Sequence, residues 1–145
     1  GTAPAAFDDS AATHAARVLV VEDDLVNQTI VASMLTQAGF SVEVAGDGYS
    51  ALQLFGDMRF ACVLMDWQMP DMDGLEVTRR LRAGVAGSRG KTVPIVALTA
   101  NAFAEDRAAC LAAGMNDFLT KPVVTAALVQ TVNRWINEAR AAKAA

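Results

Sequence analysis

Glu22 and Asp23 stand side by side after the apolar run Val18 to Val21, Asp66 closes Ala61 to Met65, Thr99 closes Val93 to Leu98, and Lys121 precedes Pro122. Two carboxylates 4 Å apart repel by roughly 4 kcal/mol at an effective dielectric of 20, so Glu22, Asp23 and Asp66 gathered at one place require a cation. Hard carboxylate oxygens with room left for water suit Mg²⁺, with Mn²⁺ as the alternative. The chemistry such a set performs is phosphoryl transfer, where positioning and charge neutralisation supply most of the catalysis. Asp66 is the natural nucleophile; its carboxylate is taken to be ionised at neutral pH unaided, so no general base is needed. Lys121 pairs with one phosphoryl oxygen, and the Thr99 hydroxyl donates to another.

Taken singly, each acid reads equally well as a solvated loop residue or a helix cap. Asp24 is read as the cap of the first helix, and Asp73, before Gly74, as the cap of the third. What singles out the catalytic set is that the acid pair, the lone Asp, the hydroxyl and the ammonium each close a different strand.

Positioning them requires a parallel sheet. From Arg17 onward, short β-like runs alternate with helical patterns, the signature of such a sheet flanked by helices. Val18 to Val21, Ala61 to Met65 and Val93 to Leu98 are nearly continuous apolar runs, as expected of central strands covered on both faces. Phe40 to Ala45 alternates, and Met115 to Leu119 is interrupted by Asn116 and Asp117, which makes both edges. Edges at chain positions two and five match the flavodoxin-like (βα)5 doubly wound order 2-1-3-4-5, in which ligands bind beyond the carboxyl ends of the strands. Val26, Ile30, Met34, Leu35 and Ala38 are read as the inward stripe of the first helix, stopped by Gly39. Val124, Leu128, Val132, Trp135 and Ala139 mark the last. The fourth, around Phe103 to Ala112, is Ala-rich and expected to be the most mobile; Gly84 to Thr92 reads as a flexible loop.

With 145 residues, 53% of them apolar and 19% charged, the chain is sized and composed for one globular domain. Residues 1–16 are read as linker, 17–140 as the domain and 141–145 as a tail. The chain opens on Gly1 with no Met before Met34, which marks it as a fragment of a longer protein, and His14 in the linker is given no role. No output domain is expected after the Ala-rich end. A net charge of −4 and no dense run of Lys and Arg exclude nucleic acid as a direct partner. No apolar stretch approaches the roughly 20 residues of a membrane span, and Cys62 and Cys110, without metal-ligand spacing, are expected to be packed thiols in a reducing cytoplasm.

The segments V-L-V-V-E-D-D-L-V-N-Q, V-L-M-D-W-Q-M-P-D-M-D-G, I-V-A-L-T-A-N-A and M-N-D-F-L-T-K-P occur in an order and spacing that resembles the receiver domain of two-component response regulators, over about residues 17 to 140. The resemblance implies that Glu22 and Asp23 form the acidic metal pocket, with the Gln68 backbone carbonyl completing the ligands. It implies that Asp66 is the phosphoacceptor, Thr99 the switch hydroxyl, Lys121 the phosphate-binding amine and Phe118 the aromatic that follows Thr99, and that the Lys121-Pro122 bond is cis. The wording of the second and third segments is most similar to receivers within hybrid histidine kinases. This implies as partners a histidine kinase core, a histidine phosphotransfer domain or both, docking in part on Gln28 and its neighbours.

Two rivals share these residues. A pseudo-receiver that only binds typically lacks the acid pair, the Asp or the Lys, and all are present. A Mg²⁺-dependent aspartyl-phosphate phosphohydrolase calls for D-x-D at the nucleophile, which Asp66-Trp67-Gln68 fails. An EF-hand loop through Asp71 and Asp73 would put Met69 and Arg80 at its first and last ligand positions and is excluded.

Overall fold

The computed structural model describes residues 16–100 and 104–144; residues 1–15 of the assigned linker, with His14, and Phe103 lie outside them, whereas Ala16 is buried in the core. Five strands, β1 (Arg17–Val21), β2 (Ser41–Ala45), β3 (Cys62–Asp66), β4 (Ile95–Thr99) and β5 (Asp117–Thr120), form one parallel sheet in the order 2-1-3-4-5. Five helices, α1 (Leu25–Gln37), α2 (Gly48–Asp57), α3 (Gly74–Arg82), α4 (Ala104–Ala113) and α5 (Thr125–Ala144), cover its faces. The doubly wound expectation holds, and α5 runs through the boundary placed at residue 140.

Strand periodicity divides the core in two. Leu19, Val21, Val63, Met65, Ile95 and Ala97 meet Phe55 of α2, Val77 and Leu81 of α3 and Cys110 of α4 on one face. Val18, Val20, Cys62, Leu64, Val96 and Leu98 meet Val31 and Leu35 of α1 and Leu128, Val132 and Ile136 of α5 on the other. Alternate side chains of each central strand thus point to opposite covered faces, which is why these strands read as unbroken apolar runs. Both cysteines are free and buried, one in each half, and burial pushes the Cys62 thiol up to about 12.

Helix α1 departs from its sequence reading. Its core contacts come from Val31 and Leu35, with Met34 and Ala38 packed beside them as read, while Val26 and Ile30, assigned to the inward stripe, are exposed together with Leu25. Apolar residues occur on both sides of this helix, so spacing alone selects no single face. Asp24, Asp47 and Asp73 cap α1, α2 and α3, each accepting a backbone N–H three residues on at 2.8–2.9 Å.

The segment read as a loose loop contains a 3-10 turn (Ser88–Lys91) tied to the body by Arg82. The Arg82 guanidinium donates to the carbonyls of Gly114, Gly90 and Val93 and to Asn116 Oδ1, at 2.7–2.9 Å. Asn116 Oδ1 also accepts from the Ile95 N–H at 2.8 Å, so the polar interruption before β5 is a structural joint. A Cβ at Gly90 would collide with the Leu81 carbonyl, which fixes glycine there. Replacing Arg82 by Ala strands several partly buried acceptors and is expected to lower unfolding free energy by about 2–4 kcal/mol in urea titrations. Arg82→Lys should recover only part of this, because an ammonium cannot reproduce the fork. A loss below about 0.5 kcal/mol for Arg82→Ala would contradict this role.

Candidate functional site

Parallel pairing aligns the strand ends. β1, β3 and β4 deliver Glu22, Asp66 and Thr99 to one edge, and the Lys121 N–H, just past β5, donates to the Thr99 carbonyl at 2.8 Å. One cleft of about 210 Å³ is lined by Glu22, Asp23, Asp66, Gln68, Thr99 and Lys121, with Asp24, Asn27, Trp67, Leu98 and Ala100. A carboxylate oxygen from each of Glu22, Asp23 and Asp66 lies within 4.8 Å of the others. Glu22, Asp66 and Thr99 are buried, whereas Asp23 is exposed.

Lys121 organises this charge. Its ammonium donates to Glu22 Oε1 at 2.9 Å and to Asp66 Oδ1 at 3.1 Å. The other Glu22 oxygen accepts the Asp24 N–H at 3.2 Å, and the Glu22 carbonyl accepts the Gln28 side-chain amide at 2.6 Å. Gln28 is therefore partly buried and turned to the strand end, while its neighbours Leu25, Val26 and Ile30 are exposed. Its signal in the sequence was an amide side chain one helical turn past the Asp24 cap, within reach of the strand it follows.

Behind Asp66, the Trp67 N–H donates to the Leu98 carbonyl, and the Gly74 N–H to the Trp67 carbonyl, at 3.0 and 2.9 Å. A Cβ at Gly74 would strike the Asp66 carbonyl, so D-G here serves both as cap and as clearance for the strand end. The intervening loop takes a left-handed turn at Asp71, with φ 68°, a conformation Asp tolerates better than most residues. The Lys121-Pro122 bond is cis.

Phe118 stands apart from the cleft. It lines a separate cavity of about 230 Å³ with Arg107, Cys110, Leu111, Asn116 and Asp117. The Arg107 guanidinium sits 4.7 Å from its ring centroid.

Burial, reinforced by Glu22 and opposed by Lys121, pushes Asp66 up to about 7. Burial pulls Lys121 down, but its hydrogen bonds to Glu22 and Asp66 outweigh this and raise it. In the metal-free fold Asp66 is therefore only partly ionised at neutral pH, and positive charge beside it favours the charged form. The unfolded chain releases this proton near 3.8 and the metal-free fold holds it to about 7. The contribution is fully present below 3.8 and is lost as pH rises towards 7. With EDTA present, Asp66→Asn should therefore gain stability relative to the parent across that window, by roughly 2–4 kcal/mol above it. A difference that does not vary with pH in denaturant titrations would contradict the buried-carboxyl account.

The response regulator receiver domain model matches residues 18–133. The sensor histidine kinase GacS of Pseudomonas protegens is 38% identical over 128 residues, 88% of this chain but 14% of that protein. The crystallised receiver domain of sensor histidine kinase PA1611 from Pseudomonas aeruginosa PAO1, described with magnesium coordinated in its active site cleft, is 43% identical. Its TM-score is 0.78, over 85% of this chain and 98% of that one. The receiver domain of the Saccharomyces cerevisiae response regulator Ssk1, co-crystallised with the histidine phosphotransfer protein Ypd1, is 33% identical, with a TM-score of 0.76 over 83% and 88% of the two chains. Sharing that family's residues across nearly its whole sheet, and its doubly wound strand order, this chain belongs to the response regulator receiver domains.

Proposed function

We propose that the domain accepts a phosphoryl group from a phosphohistidine onto Asp66, in a reaction that requires Mg²⁺. The observation that carries this reading is the convergence of three carboxylates within 4.8 Å, two of them hydrogen-bonded to one ammonium, at the carboxyl edge of the sheet. Glu22, Asp23 and Asp66 are the ligands that would hold the metal, with the Gln68 backbone carbonyl as the fourth. When bound, Mg²⁺ offsets the charge shared by these carboxylates and the phosphoryl oxygens. An Asp66 oxygen attacks phosphorus, the donor P–N bond breaks with its electron pair returning to the imidazole, and an acyl phosphate forms. Lys121 then exchanges its Asp66 contact for a phosphoryl oxygen, and the Thr99 hydroxyl donates to another. Phe118 follows Thr99, turning from beneath the Arg107 guanidinium.

The exposed apolar residues beside the cleft support a helical partner that carries the histidine. Leu25, Val26 and Ile30 on α1 and Val124 ahead of α5 are 75%, 67%, 46% and 64% exposed, and they flank the segments that bear Glu22 and Lys121. A histidine phosphotransfer domain is the partner of this reading, within a parent histidine kinase. That setting is cytoplasmic. Among the described residues, no helix is long and apolar enough to cross a membrane. The pseudo-receiver alternative predicts an incomplete set, whereas acid pair, Asp, hydroxyl and Lys all line one cleft.

Acetyl phosphate with Mg²⁺ should add one phosphoryl group, detected by intact mass, with none on Asp66→Asn and none in EDTA. Persistent labelling of Asp66→Asn would relocate the acceptor. Val26→Asp should leave labelling by acetyl phosphate unchanged but slow transfer from a phosphorylated histidine phosphotransfer domain by roughly tenfold or more, as expected for loss of an interface anchor. Equal slowing of both reactions would argue against a docking role.

A further inference from the structure

The edge of the sheet opposite the carboxylates gathers positive charge. Arg17 opens β1, Arg59 precedes β3, Arg89 lies in the turn before β4, and Arg140 and Lys143 come from the end of α5. All five line one cavity of about 340 Å³, completed by Ala16, Phe60 and Ala61, with no acidic residue in its wall. These are five of the 12 basic residues in a chain of net charge −4. Among the described residues, none of the five is ion-paired to a carboxylate.

Arg17 supplies a second observation. Its Nη1 donates to the Arg59 carbonyl at 3.3 Å, but its Nε is buried without a hydrogen-bond partner, the one such side-chain nitrogen or oxygen among the described residues. A charged donor left in that state is costly, and the outer nitrogens of the same guanidinium, on a residue that lines the cavity, remain able to pair with an anion there. A narrower lobe of about 140 Å³ continues from the shared Phe60, Arg89 and Arg140 to apolar Val93, Pro94 and Ile136. The basic basin is open to solvent, and its size and charge, with the narrower lobe beside it, suit a small anion.

We propose that this cavity binds a small anion carrying several adjacent phosphoryl groups. Guanidinium forks match phosphate oxygens in pairs, and four arginines with one lysine balance a polyphosphate chain rather than a single phosphate. Arg17, Arg140 and Lys143 stand outside the span 18–133 matched by the receiver family, so the site rests on this chain's own flanks. A strand of five residues, about 16 Å, separates it from Asp66, so the ligand need not compete with phosphorylation.

Inorganic tripolyphosphate and ATP, each titrated calorimetrically into the 145-residue chain with EDTA present, test the proposal. Binding is expected at roughly 10–100 μM for at least one of them, and amide shifts should centre on Arg17, Arg59 and Arg140. The exposed pair Arg89→Ala and Arg140→Ala, combined, should weaken it by roughly tenfold or more while leaving the melting temperature and labelling by acetyl phosphate unchanged. Equal affinities would assign recognition to the phosphoryl chain; tighter ATP would add the base, seated on the apolar lobe. Failure of both compounds to bind, undiminished binding by the double variant, shifts centred on Lys121, or preference for an oligo-glutamate peptide would each overturn it.

Discussion

Everything at the carboxyl edge of this sheet depends on one ammonium between two buried carboxylates. Lys121 reaches Glu22 and Asp66 at 2.9 and 3.1 Å from the far side of β4, joining the ends of β1 and β3 to the chain that leaves β5. Buried carboxylates this close cannot both remain charged without compensation, and one lysine offsets only part of three. The residual negative charge makes the cleft a place for a hard cation. Burial first, and the neighbouring Glu22 second, raise the Asp66 carboxyl above its ordinary range.

The rest of the fold acts on this cluster at short range. Gly74 gives clearance to the Asp66 carbonyl, Gln28 holds the Glu22 carbonyl, and the Asp24 N–H binds the second Glu22 oxygen. None of these groups touches a reacting atom, yet each restricts where the reactive side chains can stand. The contact from Lys121 N–H to the Thr99 carbonyl likewise fixes the hydroxyl-bearing residue and the lysine to one another through the backbone. Phe118 stands apart from this cluster, on the neighbouring strand with the Arg107 guanidinium above its ring.

The strands were legible because burial on both faces leaves an unbroken apolar run, and Val18 to Val21 and Ile95 to Leu98 have that form. Glu22, Asp66 and Thr99 were legible for the same reason, as polar residues that end such runs, whereas Lys121 follows an interrupted edge strand and was legible through its K-P segment. The inward face of helix α1 was legible only in part, because Leu25, Val26 and Ile30 are exposed while Met34, Leu35 and Ala38 pack on the core as read. Not legible were Arg82 and Gln28, whose partners lie mostly on backbone carbonyls brought near only by the fold. The upward shift of Asp66 could not be read from residue type, since burial and the neighbouring Glu22 are tertiary facts.

The central claim is that Asp66 is a buried carboxyl whose ionisation is set by the cations beside it. Carboxyl carbon NMR of Asp66, titrated with pH in EDTA and again in saturating Mg²⁺, measures this directly. The account predicts a midpoint of about 7 without metal and one lower by roughly two units or more with it. A metal-free midpoint near 3.8, or one that Mg²⁺ leaves in place, would contradict it.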